Sequence, residues 1–487
     1  MKELAAVLLL SLLGSGLSAQ NPDTSKQVQA LDTVTFDRYG NLRVDDPVYN
    51  KRASWYVPAL NIVGQEVLLN AIDQYALKLD WARVSLRSWG RNLRAGAPWG
   101  NGWVWDSTRF GNDMFLHPYT GAMYFDAARA SGYSFWGSSL YTFGGSYLWK
   151  MFGENVTPER NSLIYTTLGG MFGGEILYRL ASNVLDDRTT GFERVGREAL
   201  AGILSPTRLV TRLFDGKLWH VTDQEVYKKE PLNVTVYAGL HLVNPDNTIL
   251  TGRPSELVDF QFDYGNPFEQ IDRKPYDFFR LTAELDVGQG RKIIDKVTGY
   301  GLLAGTNSGP GSWGLLTGLF QDYDFYDNRT YELTTLGIGG GLVVRHPLLS
   351  HASWYSVLQL DVVPFGGNNF RAGPRDSTQT RDFDFVGGAE AKFESTLSYS
   401  DAVSVKLIAN YFWLHTYVGE PGNSFIWIIR PRMTIGLFDK LSLGIEETIY
   451  RSIRDSPTLA TLRQTNTEQK IFLMYYFEDS KRGGNYH

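Results

Sequence analysis

The chain has 487 residues, a formal net charge of −5 and no cysteine. A slightly acidic chain gives no footprint for nucleic acid, and the lack of cysteine excludes disulfides, thiolate metal sites and a lipid-anchored lipoprotein. The length suffices to bury a large core without such staples, while 14% aromatic residues and 50 glycines beside an export signal point to an outer-membrane barrel.

The opening MKELAAVLLLSLLGSGLSAQ reads as a secretory signal. Lys2 supplies the positive end, Leu4 to Leu13 the short apolar run, and Leu17-Ser18-Ala19 a small-residue cleavage site, so residues 1–19 are expected to be removed. Residues 20–54 are polar and are expected to form a flexible segment. A helical domain is expected over 55–216. Its first helix is Pro58–Leu77, where Ile62, Val67, Leu68 and Ile72 recur at helical spacing. A polar segment with Trp81, Trp89, Trp99, Trp103 and Trp105 follows.

Next comes NDMFLHPYTGAMYFDAARASGYSFW, Asn112 to Trp136. The residue before a proline is pushed out of the helical region, so His117 is expected at a helix start, with Pro118 opening Pro118–Ala130. Further helices are expected over Ser134–Phe152, from Thr157-Pro158, over Thr166–Asp187 and Gly191–Leu204, and from Ser205-Pro206 to Gly216. Gly169 and Gly173, and Gly170 and Gly174, are spaced to let two helix backbones approach closely. Glu154, Glu175, Arg179 and Asp126 interrupt the apolar runs, none of which is long enough to cross a bilayer as a helix. The expectation is one compact helical domain, on the periplasmic side or lodged against or inside the barrel mouth.

No G-x-S-x-G, H-E-x-x-H or P-loop pattern is present, and GIGGGL at Gly337 sits inside a strand pattern, where it allows a bend. The remaining chemistry is a loose set of Asp113, His117, Tyr119, Glu154 and Glu175. A helix N-terminus favours a neutral imidazole that could act as base or ligand. If buried, Glu154 and Glu175 need partners, with Arg179, His117 or Arg129 the obvious ones. One reading is an acid/base site; the preferred one is a buried polar network that fixes helix packing, since structural ion pairs perturb titration as active sites do. The basic series Arg179, Arg188, Arg194, Arg197, Arg208 and Arg212 is read as a solvated or salt-bridged face. No metal site and no cofactor are expected.

From residue 230 to 478 the period changes to two. Asp382, Asp384, Val386, Gly388, Glu390, Lys392 and Glu394 oppose Phe383, Phe385, Gly387, Ala389, Ala391 and Phe393. The same alternation runs through Phe278–Val287, Trp354–Val362 and Val405–Tyr417. These runs exceed an ordinary soluble strand and suit a tilted spanning strand of about nine to eleven residues, which weighs against a soluble sandwich or lipocalin-like barrel. About twelve such runs lie between Asn233 and Phe477, an even number as single-chain bacterial barrels require. Short turns are expected at His346–Ser350, Ser400-Asp401 and Phe438–Lys440, and long loops near 366–381 and 452–466. His346 and His351 flank a turn and are read as incidental. Residues 479–487 are a polar tail. The fold class is therefore α+β: an N-terminal helical domain followed by an antiparallel transmembrane β-barrel.

FGNDMFLHPYTGAMYFDAARASGYSFW, YTFGGSYLWKMFGEN, TTLGGMFGGEILYRLASNVLDD and GFERVGREALAGILSPTRLVTRL together resemble the uncharacterised domain-of-unknown-function family 3943, exported proteins of Gram-negative bacteria. The resemblance covers about Trp55 to Gly216 and rests on H-P-Y-x-G at His117–Gly121, G-E at Gly153-Glu154 and G-E-x-L-Y-R at Gly174–Arg179. It implies an architecture and no reaction.

The expected role is passage or binding of a small or amphiphilic molecule, with the helices plugging or gating the barrel. Expected binding groups are Tyr119 and Arg179 in the helices and Glu284, Asp286, Asp361, Asp384, Glu390, Lys392 and Glu394 on the inner face. The alternatives are an envelope lipid-acting enzyme using His117 with Glu154, Glu175 and Asp113, and a structural envelope protein. Outer-membrane lipid is the expected partner.

Overall fold

Alternating strands can hide every backbone donor and acceptor only by pairing on both edges, and here they do so by closing on themselves. The computed structural model describes residues 48–477 except 50–51, 106–108, 245–246, 270–271, 288–292, 309–312, 329, 331, 370–382 and 459. The signal segment, nearly all of the flexible segment, most of the expected 366–381 loop and the polar tail thus lie outside the described residues. Twelve antiparallel strands form a closed barrel in simple sequence order. They are β1 Leu232–Asn244, β2 Pro254–Tyr264, β3 Phe279–Asp286, β4 Ile294–Ser308, β5 Gly314–Asp327, β6 Glu332–Leu349, β7 Ala352–Asn368, β8 Asp384–Tyr399, β9 Val403–Val418, β10 Asn423–Phe438, β11 Leu441–Asp455 and β12 Leu462–Phe477. β1 and β12 complete the ladder from Val234↔Phe477 to Asn244↔Thr467.

Contacts between strands that are not neighbours fix which face is inside. Arg280 of β3 reaches Glu394 of β8, Lys470 of β12 reaches Glu284 of β3 at 2.6 Å, and Arg454 of β11 reaches Asp384 of β8 at 2.9 Å. The period of two then turns Leu281, Phe325, Leu360, Phe385 and Trp413 outward. One end carries the short turns at 350–351, 400–402 and 439–440. The expected 452–466 loop shrinks to 456–461, because β11 runs to Asp455 and pairs with β12 through Arg454↔Leu462. Its polar residues mislead for a physical reason: Ser452, Arg454 and Asn466 are buried in the barrel rather than solvated on a loop.

Seven α-helices precede the barrel among the described residues: α1 Tyr56–Ala71, α2 Leu86–Arg94, α3 His117–Ala130, α4 Phe135–Leu148, α5 Arg160–Val184, α6 Gly191–Leu204 and α7 Pro206–Phe214. The two helices expected from Thr157-Pro158 and over Thr166–Asp187 are one 25-residue helix, α5. Thr157 and Pro158 are not its cap, because this stretch is held by a bridge between Val104 and Glu159. Helix α2, inside the tryptophan-rich segment, starts on a Ser85/Ser88 capping box.

His117 does not sit at a free helix start. A π-helical turn, Asn112–Leu116, runs directly into α3, and His117 has helical φ and ψ of −64° and −48°. Such a wide turn accommodates a proline that supplies no N–H, so the helix-end argument for a neutral ring lapses.

α3 and α5 cross at the expected glycines. A Cβ on Gly170 would lie 2.5 Å from the backbone of Gly121, and one on Gly121 1.7 Å from the Thr166 carbonyl. The crossing therefore needs glycine on both sides. Gly169 and Gly174 meet Pro118 and Phe125 in the same seam.

The helices do not enter the lumen in the described residues; they lie on the outer wall. Phe110 stacks on Phe325 at 5.7 Å, Phe172 meets Tyr323 at 5.4 Å, and Trp105 meets Phe385 at 5.0 Å. Gln321 donates to the Leu168 carbonyl at 2.9 Å and Tyr323 donates to that of Met114. This geometry does not suit a plug, and its cause lies in the strands: near β5–β8 the outward positions carry aromatics that helices can cover.

Helix α1 carries apolar residues on both sides, with Ile62 packed against Tyr124 and Ala127. Leu60, Val67 and Leu68 are more than 60% exposed, whereas Glu66 is buried with Oε1 unpartnered. Burial raises the Glu66 pKa to about 8. In α3, burial outweighs the hydrogen bond from Ser205 and raises Asp126 to about 8 as well.

Gly170→Ala is expected to destabilise the helical module by about 1–3 kcal/mol through overpacking, read as faster amide exchange in α3 and α5. Gly196→Ala, whose methyl group would meet nothing within 4 Å, should leave exchange unchanged or slow it. A pH effect is also expected. Glu66 and Asp126 bind their protons more tightly folded than unfolded, so their contribution is full below about pH 4 and is lost as pH rises through about 8. Exchange in α1 and α3, corrected for its intrinsic base catalysis, should accelerate over that window, and Glu66→Gln with Asp126→Asn should flatten the excess.

Candidate functional site

The helical candidates do not converge. His117 Nε2 lies 3.2 Å from Asp113 Oδ1, its Nδ1 lies 3.4 Å from Ser162 Oγ, and Asn161 donates to Asp113 Oδ2. Glu154 belongs to a separate cluster, accepting from Lys150 at 2.8 Å and from Trp149 at 2.6 Å, with Glu159 also on Lys150. Glu175 is fully buried between Arg129 and Arg179, each 2.7 Å away. Burial alone would raise its pKa, yet the two guanidinium groups hold it below the ordinary carboxylate value. Arg179 continues to Asp277, in the β2–β3 connection, at 3.0 Å. Tyr119 is 41% exposed. Among the described residues no contact joins His117 to Glu154 or Glu175, and the three lie in separate clusters.

The basic series is salt-bridged, as expected. Arg212 pairs with Asp187 and Glu198, Arg197 with Glu193, and Arg188 with Asp186. Arg208 instead bonds the Tyr178 carbonyl and Ser182.

All seven expected inner-face residues of the barrel do face inward, and they fall into distinct groups. Glu284 accepts from Lys296 and Lys470, each at 2.6 Å. Beside it Ser255 Oγ, His241 and Glu468 form a relay, with 2.7 Å to His241 Nε2 and 2.5 Å from Nδ1 to the carboxylate. Asp286 lies 3.6 Å from the same Nε2, and Tyr450 donates to Glu468 at 2.9 Å. This order of groups is that of a nucleophile and its base, but His241 and Ser255 are directly paired across β1 and β2 and all three are buried, which makes the relay a lock on strand register. Lys392 contacts Asp322, Asp324 and Glu390 at 2.8 to 3.1 Å, near Asp361. Glu394 holds Arg280 and Lys406, and Asp384 holds Arg454.

Sequence reasoning missed the cations Arg280, Lys296, Lys406, Arg432, Arg454 and Lys470, together with His241 and Ser255. The signal was available. Arg280 shares the charged face of the Phe278–Val287 run with Glu284 and Asp286, and carrying the period of two along the remaining strands would have found the others.

Among the described residues the lumen differs from one end to the other. At the short-turn end a cavity of ≈ 580 Å³ is lined by Tyr237, Asp263, Arg280, Glu394, Lys406 and Arg432, among others. Further in, the ion pairs cross the barrel. Toward the opposite end the inward positions of β5 through β11 become apolar: Tyr326, Leu333, Val363, Val386, Phe412, Leu414, Ile426, Ile428 and Tyr450 pack into one buried cluster. This stopper and the His241 network fill the section between them.

None of the curated proteins matches the chain. Solved structures similar to it include the outer membrane channel DcaP of Acinetobacter baumannii, at 7% identity and a TM-score of 0.24 over 50% of this chain and 96% of that one. The NanC porin is similar at 6% identity and 0.24, over 48% and 98%. Outer membrane phospholipase A from Escherichia coli is similar at 9% identity and 0.25, over 51% and 93%. These likenesses are weak, and the barrel is established by its own closed ladder. A family model described as a domain of unknown function, DUF3943, matches residues 102–207, a narrower span than the resemblance over Trp55–Gly216 and one that leaves out α1 and α2. Residues 102–207 are thus a DUF3943 domain, carried in this chain on the outer wall of a twelve-stranded barrel.

Proposed function

We propose that the chain is an outer-membrane barrel that binds a small polar molecule in a blind vestibule, without a standing passage for it. The observation that carries this reading is the lumen: a ≈ 580 Å³ charged cavity at one end and a packed apolar stopper toward the other. Arg280, Lys406 and Arg432 face Asp263 and Glu394 there, a mixed-charge lining suited to a polar or zwitterionic ligand. A membrane setting is supported by the outward aliphatics, among them Leu360, Val362, Ile435 and Ile445, exposed on an otherwise well-paired wall. Short turns mark the periplasmic end of such barrels, so the vestibule faces the periplasm.

The same reading sets the helical module in lipid beside the barrel. Water does not favour a helix whose exposed side is Leu60, Val67 and Leu68. Trp136, Leu140 and Phe143 of α4 are exposed at the spacing of one helix face. Outer-membrane lipid is then the partner of both parts.

Swelling of proteoliposomes in arabinose tests the blind vestibule. The full chain should swell no faster than empty liposomes, and Phe412→Ala with Leu414→Ala should increase the rate at least several-fold by thinning the stopper. Steady porin-like swelling of the unaltered protein would sink the proposal. Native mass spectrometry of protein taken directly from membranes should find a small bound molecule that Arg280→Ala with Lys406→Ala loses; a ligand retained by that variant would place binding elsewhere.

A further inference from the structure

The glycine run of β6 opens onto a carboxylate cluster in the barrel wall. Gly337 pairs with Asp322 of β5, and Gly339 with Asp361 of β7. A Cβ on Gly337 would lie 2.5 Å from Glu390 Oε1, 3.2 Å from Asp322 Cβ and 3.4 Å from Asp361 Cβ, and one on Gly339 would lie 2.5 Å from Asp361 Oδ1. Any side chain at these two positions would occupy the space the carboxylates share. Glycine therefore does more here than permit a bend.

Into that space point one oxygen each from Asp322, Asp361 and Glu390, all within 4.8 Å of one another. Asp324 adjoins them through Lys392. The charges do not balance: Lys392 is the cation bonded to the group, against four carboxylates. Asp322 also accepts from Gln359 at 3.3 Å, and Glu390 accepts from Thr335 at 2.7 Å. Asp361 is different. It is 4% exposed, and neither carboxylate oxygen has a hydrogen-bond partner. A buried carboxylate without a partner, facing two others, must either hold a proton or meet a cation.

We propose that Asp322, Asp361 and Glu390 form a binding site for a divalent calcium ion inside the barrel. The donor set is all carboxylate oxygen, which suits Ca²⁺ or Mg²⁺ and not the softer transition metals. Calcium is favoured because it accepts irregular oxygen cages, whereas Mg²⁺ demands a near-ideal octahedron and keeps several of its waters. Asp322 and Glu390 keep their bonds to Lys392 and Thr335 with one oxygen and turn the remainder to the ion. Asp361 is the ligand with no other task. The ion ties β5, β7 and β8 together across the glycines of β6, directly below the apolar stopper.

The test is calorimetric titration of the full chain in detergent, stripped with chelator and free of lipopolysaccharide, with CaCl2 and separately with MgCl2. One Ca²⁺ per chain is expected, with a rise in melting temperature and weaker binding of Mg²⁺. Asp361→Asn should weaken Ca²⁺ binding at least tenfold and, in chelator, melt above the unaltered protein, because it relieves like-charge repulsion. That second readout shows the variant is folded. Gly337→Ala, which changes no charge, should also weaken binding by displacing the Glu390 carboxylate. Absence of Ca²⁺ binding, tighter binding of Mg²⁺, or unchanged Ca²⁺ affinity in Asp361→Asn would each overturn the assignment.

Discussion

The rest of the structure depends on the closure of one antiparallel ladder. Once β12 pairs with β1, no strand edge remains, and every strand has one set of side chains inside and the alternate set outside. A charged residue and an apolar residue one step apart then occupy opposite environments. Asp384 bonds Arg454 across the lumen, while Phe385, its neighbour, packs against Trp105 of the helical module. Neither would hold if the register slipped by one, because each would exchange surroundings with the other. Register is therefore pinned from both sides of the wall, inside by ion pairs and outside by aromatic contacts.

The helical module is joined to this wall by two kinds of interaction with different roles. Aromatic packing of Phe110, Phe115 and Phe172 against Phe325 and Tyr323 supplies non-directional burial. The chain Arg129–Glu175–Arg179–Asp277 is directional. Desolvation of its four charges cancels much of their attraction, so its contribution is positional: it couples α3 and α5 to the β2–β3 connection at one angle. Breaking it would leave a buried charge unpaired, at a cost of about 3–5 kcal/mol.

The fold was legible where local pattern decides it. Helix α6 over Gly191–Leu204 and the β8 and β9 alternations could be read directly, because the period of one segment fixes its own structure. The α3–α5 seam was legible from Gly169, Gly170 and Gly174 as a close approach, although the partner helix was not. What could not be read depends on contacts distant in sequence. The outward aromatics Phe325 and Phe385 look like lipid-facing residues of any barrel, and nothing near them says that helices from residues 105–172 will cover them. The same limit applied to the site. Glu284, Asp361 and Lys392 were recognisable as inward residues by parity. Their grouping, with Lys470 on Glu284 and Asp361 left without a bond, is set by barrel closure and has no local trace. His117 was misplaced because a π turn removed the helix end that a proline normally marks.

Gln321 shows how far the two parts form one unit. It sits on an outward position of β5, next to the inward Asp322, where a bare barrel in the proposed membrane setting would expose it to hydrocarbon. A primary amide without a partner there costs on the order of several kcal/mol. In this chain it is 7% exposed, donates to the Leu168 carbonyl of α5 and accepts from Tyr276 at 2.9 Å. The hydroxyl of Tyr323, two residues on, is likewise taken up by the Met114 carbonyl. These polar outward groups are compatible with a barrel in lipid only when the helices are in place. The module is therefore a section of the barrel's outer wall rather than a domain tethered to it, and polar groups at outward strand positions mark where such a section is seated.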